Sequence, residues 1–197
     1  MTLLRRPVVP TGLVVAAVLV AAVLVVAVLV IVIVVALSVF QPWKLFVDRT
    51  VDEALPMAVA PAAAPVGSVP AAAPVAPSGP VELARGELIS HEHASSGAVV
   101  LLELSDGSRV LRLEDLETSD GPQLEVWLTD APVIEGRAGW HVFDDGAHVE
   151  LGELRGNIGS SNYPVPADAD LDDLTSVSIW CDRFDVSFAA AELRPVA

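Results

Sequence analysis

The sequence predicts an all-β, sandwich-like domain preceded by one transmembrane helix and a Pro/Ala-rich stalk. Three observations predict it. Residues 13–40 form an apolar run without a charged side chain, and residues 56–80 are dense in proline and alanine. From Val81 onward, short alternating apolar stretches are separated by turn residues, with no helical periodicity of useful length. The expected organisation is a short cytoplasmic tail (1–12), a transmembrane signal anchor (13–40), a juxtamembrane segment and Pro/Ala-rich linker (41–80) and an acidic all-β domain (81–197).

The run from Leu13 to Phe40 is longer than the roughly 20 residues a helix needs to cross the hydrocarbon core. It also exceeds the apolar core of a cleaved signal peptide, about 7–15 residues. With no ionisable side chain, it reads as an anchor and not as a transport path. Arg5 and Arg6 before the run are matched by Lys44 and Arg49 after it, so the count of positive charges does not orient it. The short N-terminal tail and the aromatic pair Trp43 and Phe46 break the tie. The N-terminus is expected inside and the domain outside the cytoplasm, attached to the membrane through residues 13–40. Repeated proline between Pro56 and Pro80 forbids regular helix and favours an extended spacer, expected to hold the domain off the membrane.

Residues 81–197 carry 7 basic and 23 acidic side chains, a net charge of −16. Nucleic-acid binding needs basic side chains that displace phosphate counterions, so nucleic acid is excluded as a partner. Within this region Gly97–Leu104 and Ser108–Leu113 flank Asp106-Gly107, a hairpin signal because both turn positions need positive φ. Leu124–Leu128 reads as a further strand. Trp140–Phe143 and His148–Leu151, around Asp144-Asp145-Gly146, read as a second hairpin. Ser176–Cys181, Phe184–Phe188 and Glu192–Arg194 close the domain. Val177, Ile179 and Cys181 share one parity and Phe184, Val186 and Phe188 the other, so a bulge or corner is expected at Asp182-Arg183.

Cys181 is the only cysteine, which rules out an intramolecular disulfide and any multi-cysteine cluster. It reads either as a redox centre or metal ligand, with Trp180 and Arg183 beside it, or as a small core residue. No methionine falls within 81–197 and no C-x-x-C-H occurs, which disfavours methionine-ligated copper or haem and attached haem. His91, His93, His141 and His148 are the remaining metal-ligand candidates, two of which with Cys181 would make a His₂Cys set. Asp168, Asp170 and Asp172 alternate and invite calcium, but the glycine and glutamate of an EF-hand loop are missing. Asn157, Asn162 and Tyr163, with Trp140, read either as a ligand-facing rim or as a structural turn. No nucleophile elbow or triad is visible. The cofactor is left unnamed.

The strings HASSGAVVLLELSDGSRVLRLEDLETSDGPQLEVWL, LGELRGNIGSSNYPVP and VSIWCDRFDVSFAAAEL together resemble the electron-transfer DM-thirteen domain family. The resemblance covers about residues 83–194. It rests on the tryptophan–cysteine pair Trp180-Cys181 and on Asn157, Asn162, Tyr163 and Pro166; Ala189 departs from the glycine common at that place. It implies an all-β domain of membrane-attached or secreted proteins, similar to partners of DOMON-type redox domains. It also implies a redox role centred on a characteristic cysteine, here Cys181. The expected function is therefore an extracytoplasmic accessory domain for electron transfer serving a protein partner. The alternative is a non-catalytic envelope binding or adhesion module with acidic loops, and an enzyme with a carboxylate site has the least support.

Overall fold

The computed structural model describes residues 11–57 and 79–196. The expected tail and most of the Pro/Ala-rich segment lie outside the described residues. Two units can be distinguished, one ending at Pro42 and one beginning at Trp43. The first is the helix α1 (Thr11–Phe40), built from Val, Leu, Ala and Ile. Its stretch Val14–Phe40 is long and apolar enough to cross a membrane, and none of it is buried within the protein. A core helix would be buried; this one is exposed along its length.

A short 3-10 helix (Pro42–Phe46) stands at the boundary, and the second unit holds two sheets. The strands are β1 (Thr50–Asp52), β2 (Val81–Glu87), β3 (Ile89–Ser90), β4 (Ser96–Glu103), β5 (Arg109–Glu117), β6 (Leu124–Thr129), β7 (His148–Glu153), β8 (Ile158–Val165), β9 (Ser176–Cys181), β10 (Val186–Glu192) and β11 (Arg194–Pro195). The six-stranded sheet runs β1-β8-β5-β4-β2-β11 and the five-stranded sheet β3-β10-β9-β6-β7. Every pairing is antiparallel except β1 with β8. Between the sheets lies one apolar core, with Val99, Leu101, Leu111, Leu113 and Tyr163 from one side and Val126, Leu128, Val177, Ile179 and Ala191 from the other. The expected all-β sandwich is what forms.

Two features differ from the sequence expectation. The domain expected to begin at 81 also takes in part of the juxtamembrane segment. Thr50, Val51 and Asp52 pair in parallel with Ile158, Gly159 and Ser160, adding an edge strand to the larger sheet. Gly159 makes room for it. Its φ is 101°, and a Cβ there would meet the Val51 carbonyl oxygen at 2.1 Å. The second difference is the hairpin expected around Asp144. Trp140–Phe143 is not a strand; it follows a 3-10 turn (Gly136–Gly139). His148–Glu153 pairs with β6 instead. The loop 130–147 covers the outer face of the smaller sheet, where Phe143, Ala131, Val133 and Val142 bury Trp127, Trp180 and Ala190. The apolar alternation in that loop marks packing against a sheet, not membership of one.

The Asp106-Gly107 hairpin forms as expected. Gly107 takes φ 81°, and the Asp106 carboxylate accepts the Ser108 N–H and Oγ–H at 2.9 and 2.6 Å. This turn marks one end of the sandwich. The opposite end is marked by the pair Ser96–Glu117, and it carries the loop 118–123 and the β9–β10 turn. Asp182 N–H donates to the Gln123 carbonyl across these two at 3.1 Å. The parity switch expected at Asp182-Arg183 is thus a hairpin turn, with Asp185 at φ 49°. It leaves Phe184 exposed and not in the strand row.

Candidate functional site

All six residues of β9 are buried. Val177, Ile179 and Cys181 face the core between the sheets, as their shared parity requires. Ser176, Ser178 and Trp180 face the other way, under the loop 130–147. Trp180 stacks on Trp127 at 5.1 Å and meets Phe143 edge-on at 6.4 Å. Trp127 is in turn held by its indole N–H, which donates to Glu125 at 2.9 Å, and is capped by His148 at 4.2 Å. Trp180 and Cys181, adjacent in the chain, therefore lie on opposite faces of one sheet.

Cys181 is fully buried and donates its S–H to the Pro122 carbonyl at 3.2 Å. Burial pushes its pKa above the ordinary thiol value, the charges of Glu92 and Asp182 push the same way, and the Phe184 and Arg183 amides offset this only in part. The thiol is thus held protonated at neutral pH. What reaches it from Arg183 is the backbone amide and not the guanidinium, whose Nε is buried without a hydrogen-bond partner. Arg183, the cation beside Cys181 in the sequence, therefore does not act as a thiolate-stabilising charge in this geometry.

The four histidines go to four places. His91 is buried, with Nδ1 at 2.9 Å from Ser187 Oγ and Nε2 at 3.1 Å from the Ile134 carbonyl. A carbonyl only accepts, so Nε2 carries the proton; the single Ser187 hydroxyl proton is shared between the free Nδ1 and the Ala189 carbonyl, 3.0 Å away. Ser178 donates to Ser187 at 2.9 Å, completing a buried chain from β9 through β10 to the covering loop. Desolvation lowers the His91 pKa, keeping the ring neutral. Gly139 lets the loop close over it, since a Cβ there would lie 1.9 Å from the Ile134 oxygen. His93 lies against Phe188 at 4.0 Å and pairs with Glu92 at 2.7 Å. His141 bonds the Asp185 carbonyl, and His148 covers Trp127. Among the described residues no three His, Cys, Asp or Glu side chains gather into a metal-holding group, so the His₂Cys set is not assembled. Asp168, Asp170 and Asp172 are exposed, and Asp170 is engaged in its own turn, accepting the Asp172 N–H at 3.1 Å. Among the described residues they do not converge with other carboxylates into a calcium site either.

The asparagine segment does not form a ligand rim. Asn157 is fully buried; its carbonyl accepts the Arg49 N–H at 2.7 Å and its amide donates to Asp48 and to the Thr118 carbonyl. Asn162 accepts from Arg112 and donates to the Ala54 carbonyl. The Tyr163 hydroxyl accepts the Arg155 N–H at 3.0 Å. Glu53 completes the clamp by accepting from Arg155 and from the Asn162 N–H at 2.6 and 2.8 Å. These residues bind the chain's own β1. Trp140 is elsewhere, half-buried against the main core beneath Arg137. Sequence reasoning missed the partner, Asp48–Ala54, whose only signal is a short polar–apolar alternation around Val51.

The family model described as Electron transfer DM13 matches residues 87–193, from the last residue of β2 to the residue after β10. The match includes Cys181, both strands around it and the covering loop, and leaves out α1 and β1. No curated protein and no solved structure matches this chain. With more than half of its length inside that match, the chain belongs to the Electron transfer DM13 family.

Proposed function

We propose that this chain is a membrane-tethered accessory domain for electron transfer that serves a redox protein partner. The observation that carries this reading is the family match over 87–193. Tethering is supported by α1, which is long and apolar enough to span, and by Trp43 and Phe46 shortly after it. In this reading the N-terminus is inside and the domain outside.

Cys181 is the redox candidate, and its setting narrows what it can do. It has no second thiol to pair with and is held protonated in the core, so disulfide exchange does not fit. The step left is a one-electron oxidation of the S–H to a neutral sulfur radical by an oxidising centre supplied by the partner, with the proton passing to that partner, because the Pro122 carbonyl that receives the S–H cannot keep it. Adsorbed on an electrode, the full chain is expected to give a one-electron wave that Cys181→Ala abolishes. A wave unchanged in the variant sinks the role of Cys181 and leaves the electron-transfer reading standing. No wave in either protein sinks that reading too.

A further inference from the structure

The end of the sandwich at which the chain enters carries a set of exposed apolar side chains from separate segments. Trp43, Phe46 and Val47 come from the 3-10 turn and its exit, and Phe46 is 87% exposed. Lys44 fixes that turn to the loop 118–123 by donating to the Gly121 carbonyl at 3.3 Å. The same loop holds the β9–β10 turn through Asp182 and Gln123, and that turn presents Phe184, 44% exposed.

Chain length says what covers this surface. Trp43 follows Phe40, the last residue of α1, by three residues, which extend at most about 10 Å. Thr50 already stands in the sheet, at the end marked by Ile158 and Glu117. β1 then runs away from that end alongside β8, and β2 starts at the far end, with Val81 opposite Glu103. The Pro/Ala-rich segment thus follows β1 and joins two strands of one sheet. It is not interposed between α1 and the domain.

We infer that this end of the domain docks on the bilayer interface, with Phe184 at the hairpin tip as a second membrane contact beside Trp43 and Phe46. The inference rests on the reading that α1 crosses a membrane. Aromatic side chains favour the headgroup boundary, where the ring is desolvated and neighbouring polar groups stay hydrated. Arg183 and Asp185 flank Phe184, with Asp182 one residue further back, so the turn has no excess of positive charge; the contact is apolar and not electrostatic, and it suits a zwitterionic surface. One consequence concerns the partner. Cys181 lies at the base of this hairpin, so a centre exchanging electrons with it approaches from within or along the membrane.

The test uses the full chain in phosphatidylcholine vesicles containing lipids with a nitroxide high on the acyl chain. An environment-sensitive nitrobenzoxadiazole label is placed at Phe184→Cys, at Phe46→Cys, or at Asp106→Cys in the far turn, each in a Cys181→Ala background. Labels at 184 and 46 are expected to be quenched several-fold more than the label at 106, at low and at high salt alike. Equal quenching at 184 and 106, with the chain retained on alkaline carbonate washing, overturns the docking alone; a protein covering this end in place of lipid gives that result. Release by carbonate overturns the membrane reading and the docking with it.

Discussion

Among the described residues, Cys181 and His91 are buried groups whose ionisation the fold resists, and they make the domain sensitive to pH from opposite sides. The folded thiol has a raised pKa, so the unfolded chain releases its proton first. The contribution of Cys181 is complete below the ordinary thiol value, 9.0, and falls as pH rises above it. Cys181→Ala should cost about 1–2 kcal/mol at neutral pH through lost packing, yet show a shallower decline in alkali, readable from urea melts between pH 7 and 10. Maleimide should label Cys181 only after unfolding. The His91 ring has a lowered pKa, so the unfolded chain takes up a proton first. Its contribution is complete above the ordinary value, 6.5, and falls as pH drops below it. His91→Gln should flatten the acid side of the same stability profile, and an unchanged acid slope would refute the assignment. The inward row Val177, Ile179, Cys181 was readable from parity alone. That Trp180, on the other parity, is equally buried was not, because the residues covering it lie in a loop far away in sequence.

Among the elements, β1 is the one that local pattern could not reveal. Three residues of strand carry too little periodicity to stand out, and their partners are more than 100 residues away. The hairpin at Asp106-Gly107 was legible because its signal is confined to a few consecutive residues. β1 shows instead through the side chains that tie its segment down: Asn157 and Asn162 from the β8 side, and Glu53 from the segment itself, reaching back to Arg155 and the Asn162 N–H. Burial alone would raise the Glu53 carboxyl, but hydrogen bonds from Arg155 and the Asn162 backbone, with the Arg155 charge, hold it below its ordinary 4.5. The hold on β1 is therefore complete above that value and weakens as pH falls below it. Gly159→Ala should cost about 2–3 kcal/mol, by strain at positive φ and loss of the hydrogen bonds to β1. Amide exchange should accelerate at 50–53 first while β4 and β5 stay protected. Protection unchanged at 50–53 would mean that β1 is not held as described.

At the scale of the whole molecule, the same strand decides whether residues 58–78 act as a stalk or as a connection inside one sheet, and cutting them separates the two. A stalk, once cut, lets everything after it leave the membrane. Here β1 stays with α1 on the N-terminal piece, and β1 is also bonded to β8 on the C-terminal piece by the ladder at 50–52 and by the clamp at Glu53, Asn157 and Asn162. A protease site introduced into 58–78 and cleaved in vesicles should leave residues 79–197 on the membrane. Mild denaturant should then release them, below the concentration that unfolds the sheets. Adding Gly159→Ala should turn retention into release without denaturant. Prompt release from the unsubstituted chain would show that β1 contributes too little to hold the domain, and the expectation of a spacer would be restored. The acidity of residues 81–197 sharpens the readout, because a surface with a net charge of −16 has no general attraction to an anionic bilayer. With anionic lipid in the vesicles, retention after cleavage therefore reports on the strand and on the apolar contact inferred at Phe184.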